Sequence, residues 1–337
     1  MEEEKKLVPF RLCTLEDKHP WGTETWNLAD LGWRDTAARD GWLAGNTMDE
    51  IMETYLDRVV GDGVFEWYGR QFPFCIKTLQ IDGKMPLTVC PEDGLAAERY
   101  DSLGKEKLWY VLAANTGAKL LLGFRKDVSA SAFLDACADG RVEELLNAAP
   151  VKAGAYFHIP VGVPHSLQGK LKVLEISESS ALDFRLFSWG AEMEENYGLG
   201  AVEALDFLNL GKFSPEGLLG YNLEGRRKGD PENVSRLVSL PQFTSSLISL
   251  GDPIRISAGE GNSCVAYSCI RGELSIQLPK EYDPEEKIAY LSVKAGETVL
   301  VPAECEEFML VPLSKGTTLI EILVEPRAEE DSYTNGL

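Results

Sequence analysis

One of the three histidines in the chain, His165, ends a set of residues whose spacing suits a ligand in a β-barrel. Five residues separate Gly154 from Pro160, one separates Pro160 from Gly162, and two separate Gly162 from His165. Proline and glycine at these positions shape a tight turn between two strands, after which the imidazole points into the barrel as a metal ligand. The same histidine could instead be a hydrogen-bonded structural residue, and both interpretations stay open.

The elements that would position this histidine are short strands. From Phe72 onward, runs of β-branched and aromatic residues are punctuated by glycine and proline, which predicts an antiparallel sheet protein. Apolar residues recur at helical spacing in 47–60, 129–150 and 197–210. Because the segment at about 126–150 lies between two strands, we predict that it is a helical excursion from a barrel.

A turn that feeds a strand ending at proline occurs twice, in 154–167 and in 296–310. This repetition predicts two copies of one small barrel. The polar, glycine-rich stretch 220–235 is the predicted boundary between them. We therefore expect a mainly β protein with an N-terminal region and first barrel in 1–219, and a second, ligand-free barrel with a tail in 220–337.

Composition narrows the classes of partner. Lysine and arginine number 33 against 54 aspartates and glutamates, so the net charge is 33 − 54 = −21, which disfavours nucleic acid and anionic membranes as partners. No apolar run is long enough to cross a bilayer, and the start MEEEKK lacks a secretion signal. Seven scattered cysteines without a CxxC pair indicate reduced thiols and a cytoplasmic protein. The sequence does not specify an oligomeric state.

Two sets of segments in the sequence resemble those of known protein families. Residues 154–168 fit the second sequence motif of the cupins. The segment FPFCIKTLQIDGKMPLTVCPEDGLA resembles the metal-strand region of the type I mannose-6-phosphate isomerases without a gap. Further segments that resemble this family are PWGTETW (20–26), DGWLAGNTMDEI (40–51), GKEKLWYVL (104–112) and LEISESSALDFRLFSWG (174–190). The resemblance implies a double cupin, made of two jelly-roll-like barrels.

The resemblance also implies an activity and a cofactor. Members of the family interconvert mannose 6-phosphate and fructose 6-phosphate with a zinc ion. Such chemistry requires a Lewis acid or another cation for the enediol charge, a base that moves the proton, and cationic groups for the phosphate. The implied partner is therefore a small sugar or sugar phosphate.

The implied zinc site is largely substituted in this chain. The family holds its metal with a Gln-x-His pair, a glutamate and the motif histidine. The corresponding positions here are Thr88, Cys90, Lys107 and His165. Cys90 could be a zinc thiolate or a small buried apolar residue. Lys107 could be a buried cation paired with a carboxylate or could extend outward, and its ammonium would repel a dication. We therefore expect zinc binding to be weak or absent.

Other site positions follow from the same resemblance. Retained cations at positions that the family uses for catalysis are Lys77, Lys105 and Arg185. Ala191 stands where the family has a second, catalytic arginine, and the predicted pocket residues are Trp109 and Glu175. His158, in the same strand run as the motif, is a conceivable spare ligand. Two functions remain open at this stage: an isomerase with a degenerate zinc site, or a sugar-binding protein that turns nothing over.

Overall fold

The computed structural model describes residues 5–190, 200–215, 219–221, 233–257, 263–279, 282 and 290–325. Within these ranges the chain is mainly β, as the sequence predicts, with 22 strands and six α-helices. The first thirteen strands are β1 Phe10–Cys13, β2 Leu15–His19, β3 Gly22–Leu28, β4 Ala37–Ala38, β5 Phe74–Lys84, β6 Leu87–Val89, β7 Lys107–Ala114, β8 Lys119–Phe124, β9 Leu146–Pro150, β10 Ala155–Ile159, β11 His165–Glu178, β12 Phe184–Phe187 and β13 Leu219–Tyr221. The others are β14 Val234–Ser239, β15 Thr244–Leu250, β16 Ile254–Ser257, β17 Val265–Arg271, β18 Glu273–Gln277, β19 Tyr290–Lys294, β20 Thr298–Val301, β21 Glu307–Pro312 and β22 Thr317–Leu323.

The six α-helices are short, with four to nine residues each. They are α1 Met48–Tyr55, α2 Asp57–Val60, α3 Asp62–Tyr68, α4 Asp93–Tyr100, α5 Ala130–Ala138 and α6 Ala201–Ala204. Thr47 begins α1 with a capping box, because its side chain accepts the N–H of Glu50 while the Glu50 carboxylate accepts the N–H of Thr47. None of the helices in the described ranges has the length and apolar character that a membrane span requires.

The chain divides into two compact units. The first barrel unit comprises Glu16–Trp26 and Cys75–Glu224, and the second barrel unit comprises Met1–Leu15, Asn27–Phe74 and Gly225–Leu337. The first unit contains the predicted cupin motif. This architecture confirms the predicted fold class, a double cupin of antiparallel sheets.

An 11-stranded antiparallel sheet forms the first barrel unit, and its main path runs β13-β10-β7-β11-β5-β3-β2. The long strand β11 also pairs with β6 and β8, so the sheet branches and curls around one end of β11. One face buries an apolar core that includes Leu79, Val111, Phe157 and Leu167. Since successive side chains on a strand alternate in direction, polar residues on the same face as this core must lie inside the curled sheet.

Two sheets form the second barrel unit, with the orders β14-β15-β22-β17-β20-β1-β4 and β16-β21-β18-β19. Their apolar core contains Tyr267, Leu274, Val299, Phe308 and Leu319 among others. The interior of this unit is therefore filled by side chains, as in other small barrels.

The predicted helical segment 129–150 is shorter in the structure. Helix α5 ends at Ala138, close to Gly140, which has the left-handed φ of +69° that often follows a helix C-terminus. A 3₁₀ turn follows at Val142–Leu145, and then β9 pairs with β8. The predicted helical excursion is therefore present, but its last residues form β9, because they pair with the edge of β8.

The grouping of the N-terminal residues also differs from the prediction. We assigned 1–219 to one domain, whereas residues 27–74 pack with the second barrel unit. Two backbone hydrogen bonds show why: the N–H of Cys264 donates to the carbonyl of Val60, and the N–H of Ala303 donates to that of Val59. The predicted boundary at 220–235 lies mostly outside the described residues.

Candidate functional site

Three neighbouring strands align a row of polar side chains inside the first barrel unit. Strand β6 lies between β11 and β12, and Thr88 on β6 is directly opposite both His165 and Arg185. Residues directly opposite each other in a sheet share a face. The alternate β6 residues, Leu87 and Val89, pack into an apolar core on the other face. The row Arg185, Thr88, His165 therefore faces the interior of the curled sheet.

The turn before β11 fixes the orientation of His165. Gly162 has φ +73°, and a Cβ there would approach the carbonyl oxygen of Phe207 to 3.0 Å, so glycine suits this position. Nδ1 of His165 lies 2.8 Å from the carbonyl oxygen of Val163. The carbonyl can only accept, so Nδ1 carries the proton and Nε2 presents a lone pair to the interior. Burial, with repulsion from the Lys107 ammonium, lowers the pKa of His165 to about 3.

Lys107 places a positive charge beside this lone pair. Its side chain is only 1% exposed, and Nζ lies 3.3 Å from Nε2 of His165. Nζ also forms an ion pair with Oδ1 of Asp183, whose second oxygen accepts a bond of 2.6 Å from Nζ of Lys105. Burial alone would favour the neutral amine, but the Asp183 charge outweighs it and holds the pKa of Lys107 above its ordinary value.

Asp183 is the group that joins the two lysines. It precedes β12, and its side chain is 30% exposed, more than either lysine that it contacts. Burial opposes ionisation of this carboxyl, yet the charges of Lys105 and Lys107 hold its pKa well below the ordinary range. We call Lys105, Lys107 and Asp183 the lysine clamp.

Cys90 reaches the same carboxylate. Its Sγ donates to Oδ1 of Asp183 over 3.2 Å. Burial, followed by the Asp183 charge, raises the pKa of the thiol to about 12. Cys90 is therefore a protonated thiol near neutral pH rather than a thiolate.

A second buried network lies deeper in the same unit. Nζ of Lys77 is 2.9 Å from Glu175 and 3.3 Å from Glu24, and it lies over the ring of Trp26. The other oxygen of Glu175 accepts a 2.6 Å hydrogen bond from Nε1 of Trp109. Burial opposes ionisation of Glu175, but Lys77 and then Lys107 lower its pKa to about 2. Both carboxylates are thus compensated, and Lys77 stays charged.

The structure brings most of the predicted site residues together and adds two. Thr88, Cys90, Lys105, Lys107 and His165 surround one point, as their assigned positions imply. Asp183 and Glu24 were not predicted. Three lysines in or directly before barrel strands indicate that carboxylates must accompany them, but the sequence does not say which of its acidic residues do so. Ala191 lies outside the described residues.

His158 is the exception among the predicted candidates. It is opposite Leu108 on β7, whereas Lys107 is opposite Ile159, so His158 and Lys107 face opposite sides of the sheet. Nε2 of His158 instead contacts a carboxylate oxygen of Glu106 at 2.7 Å. His158 is therefore not a spare ligand for the same site.

We tested this arrangement for the zinc ion that the resemblance implies. Donor atoms of Cys90, His165 and Asp183 lie within 4.8 Å of one another, and three protein ligands are what catalytic zinc sites use. However, the Lys107 ammonium bonds to Asp183 and faces Nε2 of His165, and Cys90 is a thiol. A dication does not fit these residues as they are arranged, because a buried positive charge already occupies the point where the donors converge.

Curated relatives agree with the family that the motifs indicate. No family model matches the chain. The mannose-6-phosphate isomerase of Streptococcus mutans is 29% identical over 209 residues, which are 61% of this chain and 64% of that protein. The mannose-6-phosphate isomerase ManA of Bacillus subtilis is 26% identical over 167 residues, 49% of this chain and 51% of ManA. The matches thus span less than two thirds of the length of either relative.

Solved structures extend the likeness over almost the whole chain. The mannose 6-phosphate isomerase from Bacillus subtilis superposes with a TM-score of 0.77 at 20% identity, covering 94% of this chain and 99% of that one. A variant of phosphomannose isomerase from Salmonella typhimurium gives 0.71 at 14% identity, covering 95% and 100%. At such identities these matches establish the fold. Together with the motifs and the curated relatives, they support the resemblance of this chain to the type I mannose-6-phosphate isomerases and their cupin fold.

Proposed function

We propose that the first barrel unit binds a sugar or sugar phosphate without a metal and does not isomerise it. One observation carries the proposal: the Lys107 ammonium, 1% exposed and paired with Asp183, lies among the donors that would otherwise hold the metal. The kinship to mannose-6-phosphate isomerases supports a sugar phosphate as the ligand.

The ionisation of the pocket residues argues against proton transfer between sugar carbons. A general base works best when its pKa lies near the operating pH. His165 has a pKa of about 3, and Glu175 of about 2, so both are weak bases. Cys90 keeps its proton, and the Asp183 carboxylate is engaged by two ammonium groups. Binding needs no such base.

The same residues suit recognition of a polar ligand. The lysine clamp offers ammonium donors and a partly exposed carboxylate acceptor, and sugar hydroxyls are both donors and acceptors. Exchanging these internal hydrogen bonds for bonds to hydroxyls would keep the buried charges solvated. The expected partner is therefore a small polar molecule. We place the protein in the cytoplasm, where its seven free cysteines would stay reduced.

Three measurements on one purified sample test the proposal: zinc content by mass spectrometry, turnover in a coupled assay from mannose 6-phosphate to fructose 6-phosphate, and calorimetric binding of mannose 6-phosphate. We expect substoichiometric zinc, no turnover and measurable binding. Stoichiometric zinc together with turnover would refute the proposal.

That refuting result defines the second candidate function, a metal-dependent isomerase. The convergence of Cys90, His165 and Asp183 within 4.8 Å favours it. It requires that Cys90 lose its proton and that Lys107 leave Asp183, and metal binding would have to offset both costs. Zinc added to the assay should then raise turnover, whereas our proposal expects no effect.

A further inference from the structure

A cluster of polar side chains lies on the outer face of the first barrel unit. Leu167 packs into the apolar core inside the curled sheet, so its neighbours on β11, Ser166 and Gln168, face outward. Lys119 on β8 is directly opposite Gln168 and shares this face. His165 faces inward like Leu167, so the sheet itself separates this cluster from the pocket.

Two lysines share one carboxylate in this cluster. Nζ of Lys119 binds Oε1 of Glu143, and Nζ of Lys84 lies 3.2 Å from Oε2. The three side chains are between 30% and 51% exposed. Ion pairs with this exposure contribute little to stability, so a ligand could replace them at a small cost in free energy.

Trp189 borders the cluster on its other side. Nζ of Lys84 lies 4.8 Å from the centre of the Trp189 ring. Nε1 of Trp189 and Oγ of Ser166 both donate to the carbonyl of Met85, over 2.9 and 2.6 Å. Trp189 also has a φ of +56°, which is strained for a bulky side chain, and strained backbone occurs preferentially at functional sites.

Gln168 is the member of the cluster whose hydrogen-bonding capacity is unused. Its side chain is only 2% exposed, and within the described ranges neither Oε1 nor Nε2 has a hydrogen-bond partner. A buried amide without partners is unfavourable. The amide places an acceptor and a donor side by side. An anion would pair only with Nε2 and an ammonium only with Oε1, whereas two adjacent hydroxyls would pair with both.

We propose that this cluster, which we call the outer site, binds an uncharged sugar. Two adjacent hydroxyls pair with the Gln168 amide, and a third donates to Glu143. The apolar C–H face of the sugar ring lies against Trp189, in place of the Lys84 ammonium. Lys84 and Lys119 then extend into solvent, where their charges are hydrated. The outer site is separate from the pocket of the proposed function and does not depend on it.

The test is calorimetric titration of the full chain with methyl α-D-mannopyranoside, an uncharged sugar whose ring cannot open. Inorganic phosphate and methylammonium are titrated as a small anion and a small cation. Gln168→Met keeps the length of the side chain and removes the amide, and Glu143→Gln alters a partly exposed acceptor. Gln277→Met is the matched control, because Gln277 is exposed on β18 in the second barrel unit.

We expect the glycoside to bind Gln168→Met about 5- to 50-fold more weakly than the parent, the range for two neutral hydrogen bonds. Glu143→Gln should weaken binding by about 2- to 10-fold, and Gln277→Met should leave it unchanged. Without ligand, the urea midpoint of Gln168→Met should be no lower than that of the parent, because a buried unpaired amide has been removed. A purely structural role of Gln168 would lower that midpoint.

Several results would overturn the inference. One is equal affinity of the parent and Gln168→Met for the glycoside, and another is a parent that does not bind it. A lowered urea midpoint of Gln168→Met together with parent-like binding by Glu143→Gln would show that Gln168 is structural. Binding of either ion that Gln168→Met weakens would assign the outer site to a charged ligand instead.

Mannose 6-phosphate, titrated into the same samples, separates this inference from the proposed function. Its affinity should be the same in the parent and in Gln168→Met, because the pocket lies on the other face of the sheet. A parent that binds the glycoside but not mannose 6-phosphate would refute the proposed function and leave the outer site supported. The reverse result would refute the outer site alone.

Discussion

The ammonium nitrogen of Lys107 lies 3.3 Å from Nε2 of His165, so a fixed cation faces the lone pair that a metal would use. Each group is held by its own partner: the Val163 carbonyl orients the imidazole, and Asp183 binds the ammonium. The site therefore carries its own buried positive charge at the point where the donor atoms of Cys90, His165 and Asp183 converge. This arrangement also suggests how the site could be changed back.

We expect that Lys107→Glu combined with Cys90→His binds zinc at least about tenfold more tightly than the parent. The change replaces a buried cation with a carboxylate and completes a set of two histidines and one glutamate, which is sufficient for a catalytic zinc site. Calorimetric titration with zinc is the measurement. The matched control is Lys170→Glu, which makes the same charge change at an exposed position. Equal zinc affinities in the parent and the double variant would contradict this expectation.

Turnover is a separate matter from metal binding. Position 191, an alanine where the resemblance implies a catalytic arginine, lies outside the described residues. We expect no isomerase activity from the double variant, since the guanidinium that stabilises negative charge in the transition state would still be missing. Adding Ala191→Arg gives the variant in which a coupled assay should first detect product.

Removing Lys77 should destabilise the first barrel unit by about 3–5 kcal/mol, because the buried carboxylates Glu24 and Glu175 would lose the ammonium group that both contact. Lys77→Met keeps the length of the side chain and removes the ammonium. Lys170→Met is the control, since its exposed pair with Asp82 should contribute at most about 1 kcal/mol. Urea unfolding followed by tryptophan fluorescence measures both. Similar midpoints for the two variants would show that the buried network is not stabilising.

His165 should stay neutral across the physiological range. Its pKa of about 3 reflects burial first and the Lys107 charge second, so Lys107→Met should raise the pKa without restoring the ordinary value. NMR titration of the imidazole resonances, assigned with His165→Gln, is the measurement. The chain has only three histidines, so the signals are few. A midpoint near 6.5 in the parent protein would refute the arrangement described here.

Glu178, at the end of β11, should make the protein less stable at alkaline pH. Burial, followed by the charge of Asp93, raises its pKa well above 4.5, and its Oε2 accepts the N–H of Glu106. Because the folded pKa is the higher one, the stabilising effect is complete below the unfolded value and is lost as the pH rises through the folded value. Between the unfolded and the folded pKa the loss approaches about 1.4 kcal/mol per pH unit, and above the folded pKa this group adds no further change.

Glu178→Gln cannot ionise, so it should be more stable than the parent at pH 9 and similar to it at pH 4. Urea midpoints at the two pH values measure the difference. The exposed Glu98 on α4 provides the control, because Glu98→Gln should shift both midpoints equally. If the parent and Glu178→Gln lose the same stability between pH 4 and pH 9, the raised pKa of Glu178 is not the cause.

The sequence predicts the barrels well because their signals are local. Glycine at 154 and 162 supplies the positive φ values of a turn, and His165 then enters β11 pointing inward, as the motif indicates. The alternation of β6 similarly predicts that Thr88 and Cys90 share a direction. Both features depend on residues only a few positions apart, so a short sequence motif is enough to predict them.

Ion pairs between residues far apart in the chain could not be predicted from the sequence. The sequence indicates that a buried Lys107 needs a carboxylate, but Asp183 lies 76 positions away in a connection without a motif. Likewise Glu24 reaches Lys77 only because β3 joins the sheet beside β5. Tertiary packing decides which carboxylate pairs with a buried lysine. Nothing in the local sequence distinguishes that carboxylate from the many other acidic residues of the chain.

Strand β1 lies between β20 and β4, with Phe10 opposite Leu300. During synthesis β1 therefore leaves the ribosome long before β20, and the sheet that contains both strands cannot be completed until β20 has been made. The strands of the first barrel unit are nearer to one another in sequence and can pair while the rest of the chain is still being made. Newly made chains should thus pass through a stage with one finished barrel and with the edge of β1 that later pairs with β20 still exposed, which is when they most need protection from aggregation.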